Sequence, residues 1–328
     1  MDLRVTYLGL SLPHPFMAGA SPLGADLDSA RRLEDGGCAA SGRIRHMDPL
    51  DPQFAALLQS FPGSEQYPQS PAQYVEHIRR LKSAVRIPII ASLNGTTDES
   101  WLNVARQIED AGADALELNM YEVETDLNTP STAVEHRIQH VVTELKSQLR
   151  LPIAVKLSPF FTAFGNMAKR LDHAGADGLV IFNRFYQPDI DVRAVAVTPT
   201  IELSTSAELR LRLRWLAVLH GQVKASLAVT GGVVTPDDGV KAVLAGAHAV
   251  QMVSGVLRHG AGYFGVMRAA LGHWLDIHSA DSLDEVRGRL SLAHAADRDT
   301  FERANYIRTL QSFQSGGEPA GPGAEGRR

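Results

Sequence analysis

The sequence has 328 residues, of which 44% are hydrophobic and 21% charged, and its formal net charge is −5. With 32 Lys and Arg against 37 Asp and Glu, there is no basic excess to neutralise a phosphate backbone, so nucleic acid is not an expected partner. The single cysteine, Cys38, excludes an internal disulfide, a cysteine-ligated iron–sulfur cluster and a cysteine-rich zinc site.

The first segment, MDLRVTYLGLSLPHPF, carries charged residues early and has no long apolar stretch. Nowhere in the chain do about eighteen apolar residues run together, which is the length that a membrane-spanning helix requires. We therefore expect a cytoplasmic protein with neither a signal peptide nor a membrane span.

Short apolar, β-branched runs alternate along the chain with longer segments of helical period, a pattern typical of parallel strands joined by crossover helices. Strands are predicted at 16–20, 38–44, 88–93, 115–120, 153–157, 178–182, 226–230 and 249–252. The helices predicted between them include 71–84, 98–111, 132–148, 164–174, 207–219 and 236–245. Eight such strands predict a (β/α)8 TIM barrel, with a doubly wound open sheet as the alternative.

A short recurrence supports the alternation. The sequence Ala-Gly-Ala-Asp occurs at 111–114 and 174–177, Ala-Gly-Ala-His occurs at 245–248, and Gly36-Gly37-Cys38 is a weaker copy. Each is predicted to end a helix and begin a strand, with the glycine in the left-handed conformation that follows a helix. Helix starts are predicted where Thr96 precedes Glu99 and where Thr235 precedes Pro236.

The domain boundaries follow from composition. One domain is predicted over 1–313, because Phe313 is the last large apolar residue. The remaining segment, 314–328, is rich in Gly, Pro and charged residues and cannot bury enough apolar surface to order itself, so a disordered tail is predicted.

In a barrel of this kind the active site lies at the carboxyl ends of the strands. Three asparagines and a lysine are predicted there, at Asn94, Asn119, Lys156 and Asn183, and this donor-rich rim with one cation suits a polar heterocycle better than a metal. Two further turns, Gly231-Gly232 and Ser254-Gly255, follow the last two strands, where barrels commonly bind phosphate through backbone N–H groups.

Seven short motifs occur at predicted strands: HPFMAGASPL (14–23), ASLNG (91–95), ALELNM (115–120), PIAVKLSP (152–159), GLVIFN (178–183), VTGGV (229–233) and GAHAVQMVSGVL (246–257). In these motifs and their order the sequence resembles the FMN-dependent dihydroorotate dehydrogenases, including the related flavin barrel of dihydropyrimidine dehydrogenase. The resemblance runs from about Thr6 to Phe313.

The resemblance implies an FMN cofactor and a role for each matching residue. Lys156 would lie beside the flavin N1 and C2 carbonyl, where its charge stabilises the reduced ring, and it counts among the catalytic residues with Asn119. Asn183 would face the substrate, and Asn119 would contact the ring or the substrate. The other cofactor-binding positions implied are Ala20, Ser21 and Asn94 at the ring, and Gly231, Gly232, Ser254 and Gly255 at the phosphate.

The sequence also departs from the family pattern. The family continues after its Glu-Leu-Asn with a serine or cysteine that acts as general base, whereas this chain continues Met120-Tyr121-Glu122. Glu122 is the candidate base, and Tyr121 is the alternative candidate. Glu122 could equally be a solvated loop acid with no catalytic role. The loop that contacts orotate in the family is replaced at 62–74, and a glycine pair before the sixth helix is replaced at 203–206.

Other interpretations of these residues remain open. Lys156 could be a structural lysine, which would require a buried carboxylate partner, or a Schiff-base lysine of an aldolase-type barrel. Gly231-Gly232 could be a plain tight turn. His136 and His140 share one helix face, but no third ligand is suggested nearby, so a surface face is favoured over a metal site.

The expected function is an FMN-dependent oxidoreductase that oxidises a C–C bond of a dihydroorotate-like or dihydropyrimidine-like substrate, in pyrimidine metabolism by resemblance. The alternatives are a catalytically altered flavin-binding barrel that serves as a subunit or regulatory partner, and an aldolase-like lyase using Lys156. The expected partners are a small-molecule substrate and a soluble electron acceptor or redox partner protein, and the sequence leaves a homodimer open.

Overall fold

The computed structural model describes residues 1–21, 23, 26–45, 71–94, 98–120, 124–184, 189–198 and 202–295. The predicted tail 314–328, the boundary of the domain at 313, the Thr96 capping pattern, and Tyr121 and Glu122 lie outside these ranges. The predicted substrate loop 62–74 lies outside them except for its last residues.

Eight parallel strands close into a barrel, which confirms the TIM barrel prediction and excludes the open sheet. The barrel strands are β3 (Phe16–Ser21), β4 (Ser41–Arg45), β5 (Ile89–Leu93), β6 (Ala115–Asn119), β7 (Ile153–Leu157), β8 (Gly178–Ile181), β11 (Ser226–Thr230) and β12 (Ala249–Met252). Three of them have the predicted bounds. The largest difference is β4, which starts at Ser41, three residues later than predicted. Cys38 N still donates to Leu33 O at the end of the preceding helix, while Ala39 N donates to Phe16 O and Ala40 O accepts from Ala18 N.

Helices connect the strands on the outside of the barrel. Those that the structure describes are α1 (Leu27–Asp35), α2 (Pro71–Ala84), α3 (Asp98–Asp110), α4 (Ser131–Gln148), α5 (Phe164–His173), α6 (Leu209–Leu219), α7 (Pro236–Ala245), α8 (Ser254–His259), α9 (Tyr263–Ile277) and α10 (Leu283–Val286). The predicted helix 207–219 begins as a 3₁₀ turn, Ser206–Glu208, before α6. In the described part of the chain, no helix combines the length and the apolar character needed to cross a bilayer.

The predicted helix ends that fall within the described residues are confirmed at Thr235 and at the recurrent glycine turns. The Thr235 side chain accepts a hydrogen bond from Asp238 N at the start of α7, with Pro236 in the first turn. The glycines of the recurrent turns have positive φ angles, which only glycine adopts without strain: Gly37, Gly112, Gly175 and Gly246.

The recurrence also has a side-chain function that its sequence did not predict. Asp114 Oδ2 accepts from Ile89 N at 2.7 Å and from Lys82 Nζ at 2.6 Å. Asp177 Oδ2 repeats this arrangement two strands later, with Ile153 N and Lys146 Nζ, both at 2.7 Å. Each aspartate therefore ties its own strand to the preceding one at the amino end of the barrel.

Two short antiparallel hairpins complete the fold, and neither was predicted. The first joins β1 (Val5–Tyr7) to β2 (Leu10–Leu12) and closes the amino end of the barrel, since Leu8 N donates to Ser226 Oγ at 3.4 Å. The second joins β9 (Asp189–Asp191) to β10 (Ala196–Thr198), outside the barrel. Three-residue strands are too short to show an alternating pattern in sequence.

Candidate active site

Several of the described side chains selected from the sequence lie at the carboxyl end of the barrel. Ser21 ends β3, Asn119 ends β6, and Asn94 follows β5 directly. Lys156 is the last but one residue of β7 and lies opposite Asn119 in the strand pairing. Because parallel strands end at the same rim, these residues surround one mouth of the barrel.

Lys156 is held in an ion pair inside the barrel. Its Nζ lies 2.7 Å from Glu117 Oε1, and the two side chains are 5% and 1% exposed. The other carboxylate oxygen, Oε2, accepts from Gln251 Nε2 at 2.6 Å. Glu117 thus has the partners on both oxygens that a buried carboxylate requires.

The pair bears directly on the two interpretations of Lys156. The structural interpretation required a buried carboxylate, and Glu117 is that carboxylate. The pair does not use all the hydrogen-bond donors of Lys156, because an ammonium group has three N–H donors and Glu117 accepts from one of them. Sequence analysis did not select Glu117, although an acid two residues before Asn119 on an apolar strand must share its face of the barrel wall.

Two asparagines meet above this pair. Asn183 Nδ2 donates to Asn119 Oδ1 at 2.7 Å, and the Asn119 side chain is buried. The bond leaves the Asn119 amide NH₂ group to donate elsewhere. The two residues predicted to contact substrate are therefore neighbours, and they are well suited to orient the carbonyl or ring nitrogen groups of a heterocycle.

Two buried acceptors at the site have no donor. Asn94 Oδ1 and Gln251 Oε1 are both inaccessible to solvent and have no hydrogen-bond partner in the described structure. Leaving such an oxygen unpaired costs about 1–3 kcal/mol, so a ligand that presents N–H groups would be favoured there. The residues present fit a flavin ring, which carries an N–H donor between two carbonyl groups.

The turn after β11 is shaped by close approach as well as by its backbone angles. Gly231 and Gly232 have φ angles of 81° and 80°. A Cβ atom on Gly231 would lie 2.7 Å from Arg212 Nη2, and one on Gly232 would overlap the backbone nitrogen of Leu209. Both positions therefore need glycine for two reasons, the positive φ angle and the lack of space for a Cβ atom. A tight turn alone would explain only the first.

Arg212 was not selected from the sequence, where it is one of three arginines alternating with leucine in 209–214. In the structure it is buried, and it donates to the backbone oxygens of Thr230 and Glu208. It therefore packs against the Gly231 turn and places a positive charge next to a predicted phosphate site.

Ser204 joins the two predicted phosphate turns. Its backbone N and its Oγ both donate to Ser254 Oγ, at 3.0 and 2.9 Å, and its Oγ accepts from Gly232 N at 3.1 Å. Ser204 lies in the segment that replaces the family's glycine pair, so this departure has a structural role. The bond also means that the Gly232 N–H is already used within the protein.

We expect Ser204→Ala to destabilise the protein by about 1–3 kcal/mol, because it leaves the buried Gly232 N–H without an acceptor. Thermal or urea unfolding would measure the loss. Ser83→Ala is the matched control, since Ser83 is an exposed serine whose Oγ bonds only to Arg79 O. Equal stability of the two variants would show that the Ser204 bridge is not needed to hold the turns together.

The other residues discussed from the sequence lie on β3, on α4, in α8 and just before β4. Ala20 and Ser21 end β3, and Ser21 Oγ donates to Gly19 O at 3.0 Å, while Gly255 lies in the first turn of α8. His136 and His140 are both exposed on α4. Burial raises the pKa of Cys38 to about 12, as expected of a small buried side chain rather than a nucleophile.

Comparison with known proteins gives a consistent result. A family model described as dihydroorotate dehydrogenase matches residues 63–275. The catalytic subunit of dihydroorotate dehydrogenase B (NAD(+)) from Thermoplasma volcanium is 26% identical over 314 residues, covering 88% of this chain and 98% of that protein. The NAD-dependent dihydropyrimidine dehydrogenase subunit PreA from Escherichia coli is 25% identical over 321 residues, covering 88% and 76%. The chloroplastic dihydropyrimidine dehydrogenase (NADP(+)) from Arabidopsis thaliana is 24% identical, covering 88% and 76%.

Proposed function

Because this chain belongs to the dihydroorotate dehydrogenase family of oxidoreductases, we propose that it binds FMN and oxidises a C–C bond of a dihydropyrimidine-like substrate, in pyrimidine metabolism. The observation that carries the proposal is the barrel mouth, where the buried Lys156 cation lies opposite Asn119 and two buried oxygens lack donors. This arrangement matches the donors and acceptors of a flavin.

In this proposal the residues at the carboxyl end of the barrel hold the cofactor. Bound FMN would supply a hydride acceptor at its N5 atom. Lys156 would direct a free N–H toward the N1 side of the ring, and Asn94 Oδ1 would accept from a ring N–H. The turns at Gly231 and at Ser254-Gly255 would hold the phosphate, with Arg212 adding positive charge.

Glu117 changes how the charge of Lys156 acts. A lone cation about 4 Å from an anionic ring atom, at an effective dielectric near 20, would contribute on the order of 4 kcal/mol. With a carboxylate 2.7 Å from Nζ, the pair is neutral overall, so the contribution to an anionic ring is smaller and directional. Lys156 then acts mainly as an oriented hydrogen-bond donor.

The substrate half uses different residues. Asn119 and Asn183 would hold the polar groups of the substrate, and Glu122 would take the proton as the hydride leaves. Since the family's serine or cysteine base is missing and loop 62–74 is rewritten, we propose that the substrate is a relative of dihydroorotate rather than dihydroorotate itself. Electrons would leave through a soluble acceptor or a partner protein in the cytoplasm, because one cysteine cannot ligate an iron–sulfur cluster.

A catalytically altered flavin-binding subunit is the second candidate, and the missing family base favours it. It shares the cofactor site but predicts no turnover of the flavin by any dihydropyrimidine. The aldolase alternative is disfavoured, because Lys156 Nζ is bound to Glu117 Oε1 at 2.7 Å inside the barrel, whereas a Schiff-base lysine must be free to attack a carbonyl group.

The protein is expected to purify with non-covalently bound FMN, or to bind added FMN with a rise in melting temperature. An absorption spectrum and a thermal shift measurement would check this. Anaerobic bleaching by a panel of dihydropyrimidines and related cyclic amides would then separate the enzyme from the inactive subunit. A protein that stays colourless with excess FMN and shows no thermal shift would remove the flavin proposal, although not the barrel.

A further inference from the structure

A second cleft lies at the amino end of the barrel, opposite the predicted flavin site. Its volume is about 430 Å³, which is within the range of small-molecule sites. Its polar lining includes Asp2, Arg4, Ser226, His248, Asp284 and Arg287. Strand β11 spans the two ends, since Ser226 begins it and Thr230 ends it, on the order of 13 Å away.

The cleft lies where the third recurrent turn differs from the other two. His248 occupies the position of Asp114 and Asp177, directly before a strand. Its backbone N donates to Leu227 O and its Nδ1 accepts from Leu227 N at 3.0 Å, as the two aspartates do with Ile89 and Ile153. The two hydrogen bonds to the neighbouring strand are therefore the same at all three turns, but at the third a neutral imidazole ring replaces a carboxylate.

The replacement removes a counter-ion. Asp114 and Asp177 each bind a lysine through the same oxygen that holds the strand. At the third turn the neighbouring cation is Arg287, which lowers the pKa of His248 in addition to the larger effect of burial. His248 offers it no negative charge.

Arg287 is left partly unsatisfied. Its side chain is 11% exposed, and its Nη1 donates to Asp284 Oδ1 at 2.6 Å. Its Nε and Nη2 are buried and have no hydrogen-bond partner in the described chain. Asp284 is 77% exposed and binds only Nη1 of Arg287. The other acid of the cleft, Asp2, already binds Arg4.

His248 adds a donor to the cleft. Burial, the larger cause, and Arg287 together lower the pKa of His248 to about 4, so the ring is neutral at pH 7. Because Nδ1 accepts from Leu227 N, the ring proton must be on Nε2. Ser226 Oγ accepts from Leu8 N, so its hydroxyl hydrogen remains available to donate.

We propose that this cleft is a binding site for a small organic anion, whose phosphate or carboxylate group supplies Arg287 with the negative charge that an aspartate at position 248 would have supplied. The guanidinium edge formed by Arg287 Nε and Nη2 matches two oxygens of such a group, and His248 Nε2 and Ser226 Oγ supply further donors. The site is distinct from the flavin site and does not depend on the proposed function.

The test is an isothermal titration of the protein with inorganic phosphate and, separately, with acetate, in chloride buffer of matched ionic strength, once without FMN and once with excess FMN present. We expect saturable binding of at least one of the two by the wild-type protein. Arg287→Met should weaken it by about tenfold or more, as loss of a charged hydrogen-bonding pair predicts. Phosphate alone would indicate a phosphorylated ligand, and acetate alone a carboxylate.

Two further variants complete the test. Arg289→Gln is the matched control, because this nearby exposed arginine donates only to Glu285 O, and it should bind as the wild type does. His248→Asp restores the carboxylate of the other two turns, so it should abolish anion binding and raise the melting temperature in chloride. Wild-type affinity in Arg287→Met or His248→Asp, or no binding of either anion by the wild type, would overturn the proposal.

Discussion

Replacing Lys156 with methionine is expected to lower the free energy of unfolding by roughly 3–5 kcal/mol, because the change strands the fully buried carboxylate of Glu117. The flavin reduction rate should fall as well, by at least about a hundredfold, as removal of one preorganised donor typically does. Urea unfolding and stopped-flow absorbance under anaerobic conditions measure the two effects.

A double variant separates the two roles. In Lys156→Met/Glu117→Gln no charge is left buried, and the new amide oxygen can still accept from Gln251, so most of the lost stability should return. The reduction rate should stay low. Recovery of both quantities would show that Lys156 acts only through folding, and recovery of neither would show that the network has a further member.

Lys146→Met is the control for these measurements. Lys146 binds Asp177 in a half-exposed pair at the other end of the barrel. Its removal should cost about 1 kcal/mol or less and leave flavin reduction unchanged. A large effect of this control on reduction would mean that stability alone determines the rate.

The second large effect is expected at Glu122. With the true substrate, Glu122→Gln should lower the flavin reduction rate by at least about a hundredfold, which is a usual loss for a general base. A carboxylic acid has a reference pKa near 4.3, so catalysis at neutral pH would benefit from surroundings that raise it. We expect dihydroorotate to reduce the flavin slowly or not at all.

Glu124→Gln is the matched control for that experiment. Glu124 lies two residues further along, where its Oε2 is 3.6 Å from Arg137 Nη2 and its Oε1 accepts from Asp126 N. It should retain the wild-type rate. Full activity of Glu122→Gln would move the role of base to Tyr121, and brisk turnover of dihydroorotate would show that the rewritten loop still accepts the family substrate.

The sequence alone determined the barrel and most of its element bounds. Periodicity and helix ends are local properties: Thr235 is bonded to Asp238 three residues away, and Gly246 is left-handed whatever lies across the barrel. The motif order likewise predicted the family. The positions of the glycines, the asparagines and Lys156 at the barrel mouth could be predicted because strand ends can be read locally and because all parallel strands end at one rim.

Only the tertiary structure decided what these residues touch. Glu117 meets Lys156 across 39 positions of chain, and Ser204 meets Ser254 across 50. A single sequence carries no sign of such pairs, since closure of the barrel, and not the local pattern, brings them together. The same applies to Arg287. Its Nε and Nη2 atoms lack a partner in the described part of the folded chain, whereas the lysines at the two turns with aspartate are paired. A missing counter-ion is a property of the packed structure and cannot be read from any one residue.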